Sequence, residues 1–197
     1  MKIIFPVLCS IFLTINASAA PAINSQAVAK SFDLSTQESN VEFTAIGKPS
    51  LIRINGTGGK LKGSVSFANL IIAAEFIVPL DTVVTGVSLR DKHLKEKYLE
   101  TDKFPEAILQ ITDLKTTTDF LNHEGAQKDL PFKGNLKIHG QESPVEGTAD
   151  INSDQKNIFV HAQTKTNITA HKIDLPNYLG IKVADEVEIK VDFKIKK

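Results

Sequence analysis

Apolar and polar residues alternate with period two along most of this chain. Val41, Phe43 and Ala45 alternate with Asn40, Glu42 and Thr44. Leu61, Gly63, Val65 and Phe67 alternate with lysines and serines, and Leu130, Phe132, Gly134, Leu136 and Ile138 repeat the rhythm. Val145, Gly147, Ala149 and Ile151 follow, and the last run is the most regular: Val187, Ile189, Val191, Phe193 and Ile195 against Glu186, Glu188, Lys190, Asp192 and Lys194. Period two puts one dry face and one wet face on each strand. Such strands belong to antiparallel sheets, because parallel strands are covered on both faces. Residues 107–114 and 158–168 complete the set, for about eight to ten strands. Residues 71–80 are apolar on both parities apart from Glu75, as expected of a strand lying partly beneath a helix.

Turn chemistry separates the strands at Asn55-Gly56, Gly58-Gly59, Asn69, Gly125, Gly140 and Asn152-Ser153-Asp154. The exception to the β rhythm is Ser88–Asp102. There Ser88 with Asp91 resembles a capping box, Leu89, Leu94 and Tyr98 share an approximate helix face, and Pro105 stops any helix. One helix cannot cover so many dry faces, so they must meet one another. Either two sheets form a sandwich or one sheet closes into a barrel, and periodicity alone does not choose.

The N-terminus changes the picture of where this domain works. Lys2, an apolar run over residues 3–15 and Ala17-Ser18-Ala19 read as a signal peptide cut after Ala19. The run is too short for a membrane span of about 20 residues and contains Pro6. Residues 1–19 are therefore expected to be a signal peptide, 20–29 a disordered lead-in and 30–197 one domain. The single cysteine, Cys9, leaves with the signal, and Leu8 before it argues against lipidation. The mature chain then has no disulfide, thiol nucleophile or thiolate metal site.

Charge excludes more than it suggests. Lys and Arg number 23 against 23 Asp and Glu, so no overall field selects nucleic acid or an anionic surface. No nucleophile elbow, phosphate loop, dinucleotide fingerprint or zincin motif is present. The Gly56–Lys60 stretch reads as a hairpin turn. His93, His123, His139, His161 and His171 lack metal-ligand spacing, and His139 and His161 are expected at the surface. No catalytic residue, metal or cofactor is assigned. Arg90, Asp91 and His93 cluster at the break in the β pattern. They either touch a ligand's polar end or brace a loop.

Several stretches resemble the YceI-like family, also called polyisoprenoid-binding proteins. Asn40–Ala45 is similar to its opening strand, Gly56–Gly63 to its glycine-rich turn and next strand, and Leu136–Gly140 to a later strand and turn. Arg90–Leu94 followed by Phe104-Pro105 resembles its most specific motif, and Tyr178–Ile181 its closing segment. The chain departs from the pattern at Gln141-Glu142-Ser143 and Leu175-Pro176-Asn177. The resemblance implies a lipocalin-like, extended antiparallel β-barrel of about eight strands with one short helical segment, periplasmic or secreted in a bacterium.

The function it implies is the holding of an isoprenoid lipid or other long apolar ligand. Nucleic acid binding and stable membrane insertion are not expected, and a homodimer is left open. The candidate ligand contacts are Phe43, Phe67, Phe76 and Phe132 on dry strand faces, Leu89, Arg90, His93, Leu94 and Tyr98 on the helical segment, and Phe104 and Tyr178 in the resembling motifs. Phe193 should also point inward. The alternatives are a β-sandwich interaction or adhesion module with a filled core, and an enzyme acting on a bound lipid.

Overall fold

The computed structural model describes residues 29–48, 52–178 and 181–197. The expected signal peptide and all of the lead-in but Ala29 lie outside the described residues. The strands are β1 (Lys30–Asp33), β2 (Glu38–Lys48), β3 (Ile52–Thr57), β4 (Lys62–Ala68), β5 (Ile71–Pro79), β6 (Glu106–Lys115), β7 (Gly125–Ile138), β8 (Gln141–Ser153), β9 (Asn157–Asn167), β10 (Asn177–Tyr178) and β11 (Ile181–Lys196). They form one 11-stranded sheet in the order β1-β4-β5-β6-β7-β8-β9-β11-β2-β3, with β10 paired to β11. The named pairings are antiparallel, as the alternation requires.

This sheet is rolled. Only Leu34–Gln37 lie between β1, on one edge of the path, and β2, next to the other edge. So short a link brings the two edges together, although no ladder joins β1 to β3. The seam is bridged at separate points: Thr57 and Val84 exchange both backbone bonds (2.9 and 3.0 Å), and Leu61 N donates to Ser39 Oγ (3.2 Å). Leu34 and Leu61, on either side of it, are fully buried. Register shifts at Ile72/Ala74, Gln127/Leu130 and Val183/Val187 bend the strands that must curve most.

The dry parity faces inward throughout. Val41, Ala45, Val65, Phe67, Ile72, Phe76, Phe132, Leu136, Val145, Ala149, Ile151, Val191, Phe193 and Ile195 are all buried. Phe32 stands edge-on to Phe67 at 5.9 Å, and Phe76 meets Phe193 at 5.5 Å. Two glycines make room. Gly147 lies opposite Phe132, where a Cβ would come 2.4 Å from the ring. Gly63 adopts φ +102, and a Cβ there would meet the Glu75 carbonyl at 2.0 Å.

Four expectations need correction. The turn read at Asn55-Gly56 is the end of β3, with Asn55 opposite Thr44 and Gly56 opposite Phe43. Gly56 is small because the Phe43 ring lies against it, not because the chain turns. The Gly58–Leu61 stretch is not a hairpin turn but the crossing between non-adjacent β3 and β4. Helix α1 spans only Ser88–His93, capped at Val87 with no side-chain bond, so the Ser88/Asp91 capping box does not form. Finally, β5 places Ile72 and Phe76 inward and leaves Ile71 45% exposed, while the polar and ring contacts of the helical segment run to Thr85, His139 and Asn177.

Candidate functional site

The inward face is mostly apolar, with Thr164 and Thr166 buried among the hydrophobic side chains on β9. Phe67, Phe76, Phe132 and Phe193 meet Ile72 and Val160 around a cavity of about 30 Å³ with no polar surface. Three of the predicted contacts, Phe67, Phe76 and Phe132, thus come together. Phe43 shares their parity but is only half-buried, as are Val78, Val187 and Ile189. Phe193 and Ile195 are buried, whereas the side chains around Phe43 are left half-buried.

The helical segment lies at that end. After α1 the chain makes one wide turn over Leu94–Tyr98, with Leu99 N bonded to Leu94 O at 2.8 Å. Tyr98 Oη accepts from Asn177 N at 3.4 Å, and Lys97 sits 5.4 Å above its ring. Leu94 and Tyr98 are half-buried, whereas Leu89 is 50% exposed and His93 is exposed. Phe104 does not face the cavity. Its ring packs against His139 at 4.5 Å, over Gly140. Tyr178 ends β10, and its side chain lies outside the described residues.

Arg90 and Asp91 close on one loop residue. Arg90 donates from Nε to Thr85 Oγ1 (2.7 Å) and from Nη2 to Thr85 O (2.9 Å). Asp91 Oδ1 accepts from Thr85 N (2.7 Å) and Thr85 Oγ1 (2.5 Å). Burial pushes the Asp91 carboxyl up, but the Thr85 bonds and the nearby Arg90 and Lys95 charges hold it below the ordinary aspartate value. Of the two roles left open for this pair, bracing is the one that the geometry engages.

A second brace escaped the sequence reading. His139 is not a surface histidine. Its Nδ1 lies 3.2 Å from His171 O and its Nε2 2.8 Å from Glu100 Oε2. Both partners are oxygens that only accept, so the imidazolium form satisfies both and the neutral form only one. His171 is completely buried, with Nδ1 facing Gln141 O (3.1 Å) and Nε2 facing Thr166 Oγ1 (2.9 Å). A carbonyl must receive an N–H and a hydroxyl can donate, so the neutral Nδ1–H ring fits. No local pattern marks these histidines, because their partners lie about thirty or more residues away in three of four cases.

A larger hollow lies elsewhere. An open groove of about 600 Å³ crosses the outer face and is lined by Glu38, Lys128, Asp150, Phe159, His161 and Asp192 among others. His161 Nδ1 is 2.7 Å from Asp192 Oδ1. None of the predicted ligand contacts lines this groove. Among the described residues no group of acids and histidines is placed to hold a metal, and no helix is long and apolar enough to cross a membrane.

The fold has relatives among solved structures. A polyisoprenoid binding domain from Saccharophagus degradans superposes with a TM-score of 0.65 at 13% identity, covering 87% of this chain and 99% of its own. Burkholderia cenocepacia BcnA gives 0.64 at 16% identity, covering 80% and 96%. The YCEI protein of Campylobacter jejuni gives 0.61 at 14%, covering 75% and 86%. At these identities the likeness establishes the fold. No curated protein matches the chain. The model of the YceI-like domain, however, matches residues 32–195, from β1 to the end of β11. On that match, the chain belongs to the YceI-like domain family.

Proposed function

We propose that this chain is a bacterial periplasmic binding protein that holds a long-chain isoprenoid lipid, of quinone or polyprenyl phosphate type, inside its barrel. The observation that carries this reading is a cavity lined wholly by apolar side chains inside the barrel, with further inward apolar side chains, Phe43 among them, left half-buried. Family membership and the polyisoprenoid binding domain of S. degradans support it. Each buried CH2 contributes about 0.8 kcal/mol, so ten carbons supply roughly 8 kcal/mol before ordering costs. Polar contacts are then few by design, and Arg90 and Asp91 spend theirs on Thr85. That favours a binding protein over an enzyme.

The cavity of about 30 Å³ holds one water's volume, not a lipid. Loading therefore requires the Phe67, Phe76, Phe132 and Phe193 rings to move aside, with Leu94 and Tyr98 following at the mouth. The same small volume favours a second reading, a filled-core interaction module. Native mass spectrometry of protein released from the periplasm of its own organism separates the two. A discrete isoprenoid adduct, lost on organic extraction, supports the carrier. Protein that is bare of lipid at every loading supports the module.

A further inference from the structure

The helix-bearing end of the barrel leaves apolar side chains in solvent where the backbone is firmly held. Val84 is 44%, Val87 43% and Leu89 50% exposed, all within one short stretch. This stretch is not frayed. Val84 is paired with Thr57, and Thr85 between Val84 and Val87 accepts two bonds from Arg90 and donates two to Asp91. Leu175, 44% exposed, belongs to the same end, because Asn177 just beyond it bonds to Tyr98.

Basic charge gathers on the same stretch. Val84–Tyr98 carries Arg90, Lys92, Lys95 and Lys97 against Asp91 and Glu96, in a chain whose charges balance overall. Asp91 is occupied by Thr85 and held by Arg90, while Lys92 and Lys97 are exposed. Beyond Tyr98, Glu100 is paired with Lys103 and His139, and Asp102 is exposed. A fixed apolar patch beside lysines matches a surface that is hydrocarbon below and anionic above. Nucleic acid offers the charge without the hydrocarbon.

We propose that Val84–Tyr98 is a docking surface by which the mouth of the barrel rests on an anionic lipid bilayer. This rests on the lipid-carrier reading and adds the place of exchange. Thr57, which pairs with Val84, adjoins Gly56, and against Gly56 lies the half-buried Phe43 ring. A lipid passing from bilayer to interior beside this contact would cross little water.

The test is flotation of the full mature protein with vesicles of phosphatidylcholine alone and of phosphatidylcholine mixed with phosphatidylglycerol. The wild type should float with the mixed vesicles and be released as salt rises. The double variant Val87→Asp/Leu89→Asp, whose sites are exposed, should keep its circular dichroism and lose binding roughly tenfold or more. Lys92→Gln/Lys97→Gln should lose the preference for the anionic vesicles. Failure to float with either vesicle, or undiminished flotation of the Asp double variant, overturns the proposal. So does a patch that crosslinks to a protein partner while vesicles leave it untouched. Lipid content of the same samples by native mass spectrometry keeps the two ideas apart. Lipid-loaded protein that ignores vesicles sinks the docking alone, and lipid-free protein that still floats sinks the carrier alone.

Discussion

Glu100 and His139 both occupy left-handed backbone, at φ 45 and 52, where a side chain costs about 1–2 kcal/mol. Their side chains hold one another, so the surrounding structure sets what local preference opposes. The Lys103 bond, and then the His139 bond, hold the Glu100 carboxyl below its ordinary value of 4.5, with burial acting the other way. A carboxyl depressed in the folded state stabilises fully above its unfolded value, and that stability drains as pH falls through the lower folded value. The melting temperature of the wild type should therefore fall below about pH 4.5, and Glu100→Gln should flatten that acid limb. An identical acid limb in the variant would remove Glu100 from the account. Of the phenylalanines that parity turns inward, Phe43 is only half-buried, but at the others the sequence was enough. Phe67, Phe132 and Phe193 are 3%, 3% and 5% exposed, as their parity required. Phe193→Asp buries an unpaired carboxyl and should cost several kcal/mol in chemical denaturation. An unchanged midpoint would mean that the register is slipped by one residue.

Among the elements, legibility followed length. The long strands β7, β8 and β11 declare themselves by alternation that repeats many times. β1 and β10 are too short to alternate, and β3 hides behind Asn55-Gly56, a pair whose usual meaning is a turn. Only the ring of Phe43, placed by another strand, explains that glycine. The helical segment was legible as an interruption but not in its form. Its bracing residue, Thr85, lies outside the stretch that reads as helical, so the cap was assigned to Ser88. Thr85→Val keeps the shape and removes the hydroxyl shared by Arg90 and Asp91. Amides of Ser88–Tyr98 should then exchange faster in hydrogen-exchange mass spectrometry, with those of β7 and β8 unchanged. Equal protection across the segment would show that the brace is dispensable. For the mouth, Leu94→Asp should leave the circular dichroism intact and strip the lipid. Full occupancy in both Leu94→Asp and Tyr98→Ala would move the ligand deeper into the barrel.

For the whole molecule, the choice between sandwich and barrel was not in the alternation, because both bury one face of every strand. It lies in the Leu34–Gln37 link, which forces two distant edges of one sheet together. Packing then sets the terms of binding. Phe132→Ala adds ring-sized space to an interior that now has about 30 Å³ free. It should cost about 3–5 kcal/mol of stability and at the same time raise affinity for a small apolar dye. Loss of stability with no gain in dye binding would indicate collapse of the space instead.

The same link has a consequence in time. β2 finds its neighbour β11 across nearly the whole chain, with Val41 opposite Val191. β4 to β9 pair with neighbours in sequence and can assemble as they appear, but β2 and β3 must wait, with their apolar sides uncovered, until the last strand arrives. Closure of this kind is slow, because distant ends must meet before any contact rewards them. Refolding should thus show an early phase, in which the middle strands gain protection, and a later one in which Val41 and Val191 do so together. In the interval the exposed β2 edge is where a chaperone would hold the chain, or where two unfinished molecules would join.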